Sequence, residues 1–303
     1  QDRASISTRH LVRFDCGTAL AMTSSVSPLV LIPQVQTGPK PFLKWAGGKT
    51  QLIGQFSPLI PRKFGRYFEP FVGGGAVFFA LRPRNALLSD VNGELIDCYQ
   101  AIRDNVDAVI AALKQHRYDK DYFYQIRSLA PSTLTLPERA ARTIFLNRTG
   151  FNGLYRVNSR GQFNVPFGRY ANPTICDERN LRACSLALKG VRLTVEDFEQ
   201  AVCAADHGDF VYFDPPYVPV SDTSYFTSYT PGGFGWNEQQ RLASVFAKLA
   251  ERGIRVMLSN SDVPALRELY AGFRIDRVEA TRSINCDSRR RGKIGEVVVR
   301  SYQ

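Results

Sequence analysis

The sequence predicts a doubly wound, mostly parallel α/β sheet of seven strands carrying an inserted, mainly helical lobe. Three observations predict it. From Pro41 onward, compact apolar blocks alternate with charged amphipathic ones, the βα pattern of a parallel-rich sheet. A strand at 67–71 runs into Gly73, Gly74 and Gly75 and then into a helix, the turn that doubly wound sheets place at strand carboxyl ends. Between 105 and 185 the buried-strand pattern stops and helical stretches replace it.

Strands are expected at 67–71, 86–89, 191–195, 210–213, 254–259, 273–279 and 296–301, where β-branched and aromatic residues suit a pleated, buried surface. Helices are expected at 76–81, 94–102, 238–251 and 263–270, where apolar residues recur at helical spacing. Inside the insertion, 106–116, 122–129 and 138–146 read as helices. Its second half, NRTGFNGLYRVNSRGQFNVPFGRY over 147–170, mixes Arg, Asn, Gly and aromatic residues in a way that a core does not tolerate. The chain thus divides into an N-terminal extension (1–40), a main domain (41–104 and 186–303) and the inserted lobe (105–185). Because the chain starts at Gln1, the extension reads as an upstream addition or a fragment, and no function is assigned to it.

The 39 Lys and Arg outnumber 28 Asp and Glu, a net charge of +11 that favours a polyanionic partner. The six cysteines (Cys16, Cys98, Cys176, Cys184, Cys203, Cys286) form no CxxC pair and no zinc-spaced cluster. Reduced thiols, no metal and a cytoplasmic protein are expected. No apolar run approaches the roughly 18 to 20 residues that span a bilayer, so no membrane partner is expected.

Three motifs carry chemistry. In YFEPFVGGGAVFFAL (67–81) the glycines let the backbone approach a ligand closely. The next strand ends in Asp90, about 20 residues on, where a carboxylate can accept both ribose hydroxyls of a nucleoside. In DFVYFDPPY (209–217) a buried strand stops at Asp214, Pro215, Pro216 and Tyr217. An adenine N6 amine is a poor nucleophile because its lone pair is delocalised into the ring; the Asp214 carboxylate and the Pro215 carbonyl can orient its hydrogens, and the prolines fix the turn. Tyr217 can stack on a base extruded from a duplex. In PFLKWAGGKTQL (41–52) backbone amides and Lys49 suit an anionic group, either a carboxylate or a phosphate. GGKT resembles the end of a Walker loop, but the full GxxxxGK pattern is missing.

These blocks, in this order and with a long insertion before DPPY, resemble the Dam-type DNA adenine methyltransferases of the alpha class. The resemblance runs from about Pro41 to the C-terminus and includes FNGLYR (151–156) and GQFNVPFGRY (161–170), which look like that family's DNA-recognition segment. It implies a seven-stranded Rossmann-like methyltransferase sheet whose catalytic domain binds S-adenosylmethionine through Trp45, Ala46, Gly47, Lys49, Phe71, Gly73, Asp90, Asp197 and Phe198, with Asp197 and Phe198 at the cofactor's adenine. It also implies a catalytic pocket of Asp214, Pro215, Pro216 and Tyr217, with Asp214 touching the cofactor too.

The implied substrate is double-stranded DNA with a flipped adenine, within GATC. Lys44, Leu154, Arg156, Pro166 and Tyr170 would read base edges, with Arg156 and Lys44 suited to guanine acceptors and Leu154 and Pro166 to a thymine methyl. Phe151, where many relatives carry Tyr, and Asn152 would occupy the space that the adenine leaves. Arg148 and Arg169 would meet phosphates, and the basic run Arg289, Arg290, Arg291 and Lys293 would either do the same or form a solvated basic loop. A cytosine-C5 enzyme needs a Pro-Cys nucleophile, and none of the six cysteines follows a proline. The rival readings are an RNA or protein-amide methyltransferase, a catalytically silent DNA-binding regulator and an ATP-using enzyme; the recognition segment, the intact DPPY and the incomplete phosphate loop respectively weigh against them. The sequence leaves the oligomeric state open, and a monomer is compatible with it.

Overall fold

The computed structural model describes residues 38–219, 233–281 and 293–303. In chain order the elements are α1 (Ile53–Phe56), β1 (Tyr67–Glu69), α2 (Ala76–Leu81), β2 (Ala86–Asp90), α3 (Gly93–Lys114), α4 (Lys120–Ser128), α5 (Leu136–Thr149), α6 (Glu178–Leu188), β3 (Arg192–Val195), α7 (Phe198–Ala201), β4 (Phe210–Phe213), α8 (Trp236–Glu251), β5 (Arg255–Ser261), α9 (Pro264–Leu269), β6 (Arg274–Thr281) and β7 (Lys293–Arg300). The strands form one seven-stranded sheet in the order β3-β2-β1-β4-β5-β7-β6. The first five are parallel, and β7 runs antiparallel to both β5 and β6.

Period-two alternation in the central strands divides the core between the two faces of the sheet. On β4, Phe210 and Tyr212 join a cluster with Phe56, Tyr99, Ile102, Ile144 and Phe145, while Val211 and Phe213 join Leu242, Phe246, Leu258 and Val299. All four residues of β4 are buried, as expected for a strand covered on both faces. Local signals set the helix starts. Asn92 and Asp119 accept from the backbone N–H groups of Leu95 and Tyr122, and Thr135 with Glu138 forms a capping box at α5.

The structure refines three expectations. The separate helices expected at 94–102 and 106–116 are one element, α3. Its Asn105 leaves helical geometry (φ −150°, ψ 62°) and accepts from the Ala108 amide, restarting the helix with its own cap. The boundary drawn at 104/105 therefore falls inside a helix, and that at 185/186 falls inside α6. The inserted helices have no separate core, since Ile144 and Phe145 of α5 bury in the cluster that holds Tyr212 of β4. The strand expected at 67–71 ends at Glu69, before Pro70, and the residues beyond it form the glycine loop.

Candidate functional site

The site is built at the carboxyl ends of β1, β2, β4 and β5, where doubly wound sheets bind ligands. After β1, Gly73 adopts φ 46° and Gly75 φ 67°. A Cβ on Gly73 would stand 2.8 Å from Trp45 Cδ1, so only glycine lets the loop pack under the indole. The Gly73 amide donates to Asp90 Oδ2 (3.3 Å) and its carbonyl accepts from the Tyr99 hydroxyl (3.0 Å). Asp90 Oδ1 accepts from the Asn92 amide. Burial pushes the Asp90 carboxyl above the usual carboxylate range, and these amides pull it back.

Beyond β4, the Asp214-Pro215-Pro216-Tyr217 turn is braced from two sides. Gln239 of α8 donates to the Pro216 carbonyl (2.8 Å), Asn260 of β5 accepts from the Val218 amide (3.0 Å), and Ser261 donates to the Val218 carbonyl (2.7 Å). The Tyr217 hydroxyl donates to Glu296 of β7 (2.7 Å). The brace uses the Pro216 carbonyl, not that of Pro215. Asp214 Oδ1 receives the Ser259 hydroxyl at 2.9 Å and the Lys49 ammonium at 2.8 Å. Burial raises the proton affinity of Asp214 while the Lys49 charge and the Ser259 hydrogen bond lower it.

Lys49 was expected to meet an external anion, yet its side chain is buried. Its ammonium is shared among Asp214, the Gly47 carbonyl and the Tyr217 ring, whose centroid lies 4.6 Å away. Behind this pair, buried Glu69 accepts from the Tyr67 hydroxyl (2.8 Å), and burial pushes its carboxyl up to about 8.

At the far side of the glycine loop, Asp197 caps α7 and is gripped by Arg241, whose Nη1 and Nη2 reach Oδ1 and Oδ2 at 2.8 and 2.7 Å. Phe198 is buried beneath the Arg241 guanidinium, and Phe71 stacks on it at 5.4 Å. Phe198 therefore serves as a floor for Phe71. Two apolar side chains that the sequence reading passed over, Val91 and Val195, are 72% and 54% exposed beside Asp90, which pairs with Val195 across β2 and β3. Their signal was an apolar residue directly beyond, or level with, an acidic strand end.

The segment carrying Lys44 and Trp45 is tied to the 147–170 stretch. Buried Asn147 donates to the Lys44 and Gly153 carbonyls (2.8 and 2.9 Å) and accepts from the Lys44 amide. Trp45 stacks on Tyr155 at 5.2 Å, and the Lys44 ammonium lies 4.6 Å from the Tyr170 ring centroid. Asn152 and Gly153 both take positive φ (54° and 63°), and a Cβ on Gly153 would collide with the Lys44 side chain. Phe151 is 48% exposed, while its amide donates to the Pro166 carbonyl. Arg156 donates to Asn164 Oδ1 (2.7 Å) and, like Arg169 and Pro166, is exposed; Leu154 is half-buried. A short hairpin between the Val157–Phe163 bridge partners exposes Arg160, a cation that the sequence reading did not single out.

Arg148 departs from the expected phosphate contact. Its Nε and Nη2 both donate to the Phe42 carbonyl (3.1 and 2.8 Å), fastening the 41–49 segment onto α5. Arg289, Arg290 and Arg291 lie outside the described residues, and of Lys293 only its backbone place at the start of β7 is described. Among the described residues no cluster of His, Cys, Asp or Glu is placed to hold a metal ion, and no helix is long and apolar enough to cross a membrane.

Comparisons with known proteins identify the family. The family model for D12 class N6 adenine-specific DNA methyltransferases matches residues 45–284. The type II methyltransferase M1.LlaDCHI of Lactococcus lactis subsp. cremoris is 47% identical over 271 residues, covering 87% of this chain and 95% of that protein. The type II methyltransferase M.MjaIII of Methanocaldococcus jannaschii is 43% identical over 286 residues, covering 87% and 99%. The DNA adenine methylase of Haemophilus influenzae is 35% identical over 265 residues, covering 86% and 92%. With the family model spanning both the glycine loop and the DPPY turn, the chain belongs to the D12 class of N6 adenine-specific DNA methyltransferases.

Proposed function

We propose that the protein methylates N6 of an adenine flipped out of duplex DNA, within GATC, with S-adenosylmethionine as its cofactor. The observation that carries the reading is Asp214 at the end of β4, held at Oδ1 by Lys49 and Ser259 inside a turn braced by α8 and β5.

The residues present fit the cofactor. The Gly73 turn, packed under the Trp45 indole, lies beside a strand-end carboxylate suited to a ribose diol and two exposed valines suited to a purine face. Trp45, Ala46, Gly47, Phe71, Gly73, Asp90 and Asp197 would hold it, with Phe198 supporting Phe71 from below. Bound S-adenosylmethionine supplies an electrophilic sulfonium methyl.

The chain's own groups prepare the amine. Asp214 and the Pro215 carbonyl accept its two hydrogens, which draws the N6 lone pair out of conjugation with the ring. Lys49 favours the ionised form of Asp214 against the pull of burial, and Tyr217 offers its ring to the extruded base. Once methylated, the amine carries one surplus proton, and Asp214 is placed to take it.

For recognition, Lys44, Leu154, Arg156, Pro166 and Tyr170 would face base edges, Phe151 and Asn152 would fill the gap left by the adenine, and Arg169 would meet a phosphate. The exposure of Phe151 and the positive φ of Asn152 and Gly153, which turn this tip outward over Lys44, support the assignment. Plasmid DNA from expressing and non-expressing cells, cut with GATC-specific nucleases of opposite methylation sensitivity, tests it. The expected result is protection from one nuclease and gained cleavage by the other. Adenine methylation without that pattern overturns GATC and keeps the activity.

A further inference from the structure

We propose that Ser259 and Tyr212 are positioning residues that act in series on Asp214, fixing its carboxylate through Oδ1 and leaving Oδ2 for the substrate amine. The inference rests on the reading of Asp214 as the acceptor of that amine.

Strand register brings these groups together. Phe213 pairs with Leu258, so Asp214, the first residue beyond β4, stands beside Ser259, which is still within β5. Ser259 is fully buried, and its hydroxyl donates to Asp214 Oδ1 at 2.9 Å. A serine hydroxyl has one proton to give. With that proton committed to Asp214, the 2.9 Å contact between Ser259 and Tyr212 makes Tyr212 the donor. The chain therefore runs one way, from the Tyr212 hydroxyl to Ser259 Oγ to Asp214 Oδ1. Tyr212 is fully buried as well and packs edge-on against Phe56, with ring centroids 6.1 Å apart.

Both donors to the carboxylate, Ser259 and Lys49, converge on Oδ1. Among the described residues no hydrogen bond reaches Oδ2. The terminal torsion of an aspartate is soft and roughly two-fold, so a free carboxylate would swap its oxygens. Two donors on one oxygen remove that freedom before substrate arrives, which is where preorganisation gains most. A buried serine that merely satisfied its own hydroxyl would carry no such consequence, and the test separates the two roles.

The test is steady-state methylation of duplex DNA by the full chain and by Ser259→Ala, Ser259→Thr, Tyr212→Phe and the Ser259→Ala/Tyr212→Phe double variant. Ser259→Ala is expected to lower kcat about 10-fold or more while leaving both KM values within about twofold. The acid limb of its kcat–pH profile should move to higher pH, because the hydroxyl that helps ionise Asp214 is gone. Ser259→Thr, which keeps the hydroxyl, should recover most of the rate. Tyr212→Phe should lose less, and the double variant should fall no further than Ser259→Ala, because Tyr212 acts only through Ser259. If Ser259→Ala fails to fold, Tyr212→Phe carries the test: a lower kcat with the same limb shift supports the inference, and an unshifted limb overturns it. A Ser259→Ala enzyme with the unsubstituted kcat, or a double variant whose loss is the product of the single losses, also overturns it. If the unsubstituted protein methylates no adenine, the reading of Asp214 falls and this inference with it. An active unsubstituted protein with an unaffected Ser259→Ala sinks this inference alone.

Discussion

Lys49 and Asp214 form a 2.8 Å ion pair that joins the first chemical motif of the chain to the last, across more than half of its sequence. The lysine is buried and the carboxylate is 19% exposed, so water screens the pair weakly. Under the proposed mechanism this pair makes Lys49 a partner of the catalytic carboxylate. Replacing Asp214 with Ala should lower methyl transfer by at least about 10²-fold, the scale for losing a preorganised charge-stabilising group. DNA affinity, measured by fluorescence anisotropy, should change little. Undiminished transfer would remove Asp214 from the chemistry.

Lys49→Met keeps the stem and removes the charge. Asp214 must be ionised to accept the amine hydrogens, burial already raises its proton affinity, and the Lys49 ammonium is the largest influence lowering it. Activity therefore falls as pH drops through the Asp214 pKa, and the variant's acid limb should lie at higher pH than that of the unsubstituted enzyme. An unmoved limb in kcat–pH profiles would contradict the role given to the pair.

Glu69 supplies a prediction about stability. Its carboxyl ionises near 4.5 when exposed and at about 8 when buried in the fold. Between those values the unfolded chain releases a proton that the folded chain keeps. Its contribution is thus fully present below about pH 4.5 and declines by ~1.4 kcal/mol per pH unit toward pH 8. Glu69→Gln imitates the protonated acid and should lose less stability than the unsubstituted protein between pH 5 and pH 8. Urea midpoints at several pH values check this, and parallel slopes for the two proteins would refute it.

Arg241 holds Asp197 by both guanidinium nitrogens and covers Phe198, although it also faces Glu199 and Glu238. Arg241→Ala should weaken S-adenosylmethionine binding by about 10-fold, a loss of ~1.4 kcal/mol that is modest because the ion pair is one-third exposed. The turnover number should be nearly unchanged. Calorimetric titration together with kcat at saturating cofactor separates the two, and unchanged affinity would exclude Asp197 from the cofactor site.

Among the proposed base readers, Arg156 is exposed and oriented by Asn164. Arg156→Ala should relax discrimination at its base pair by about 1 to 3 kcal/mol, read as relative kcat/KM on duplexes substituted at each position. A uniform loss across all duplexes would mark it as a phosphate contact instead.

The parts of the site legible in the sequence were those whose backbone demands unusual residues. Gly73 and Gly75 take positive φ, and Pro215 and Pro216 stop a buried strand, so these turns announced themselves. The residues that hold Asp214 were hidden because they sit inside apolar strands. Tyr212 reads as a core aromatic and Ser259 as an incidental polar residue, and only the pairing of β4 with β5 brings them together. Arg148 was misplaced for a related reason. A cation in a basic, aromatic-rich segment suggests phosphate, whereas its partner, the Phe42 carbonyl, lies 106 residues away. The antiparallel placement of β7 between β5 and β6 depends on the same long-range pairing, which periodicity does not encode.

The central claim is tested most directly by incubating the purified protein with S-adenosylmethionine and a duplex that holds one GATC site, then digesting the DNA to nucleosides for mass spectrometry. The account predicts N6-methyldeoxyadenosine from that duplex, and none from one in which the GATC adenine is replaced. Methylated cytosine, or no methylated nucleoside from a folded, DNA-binding protein, would contradict it.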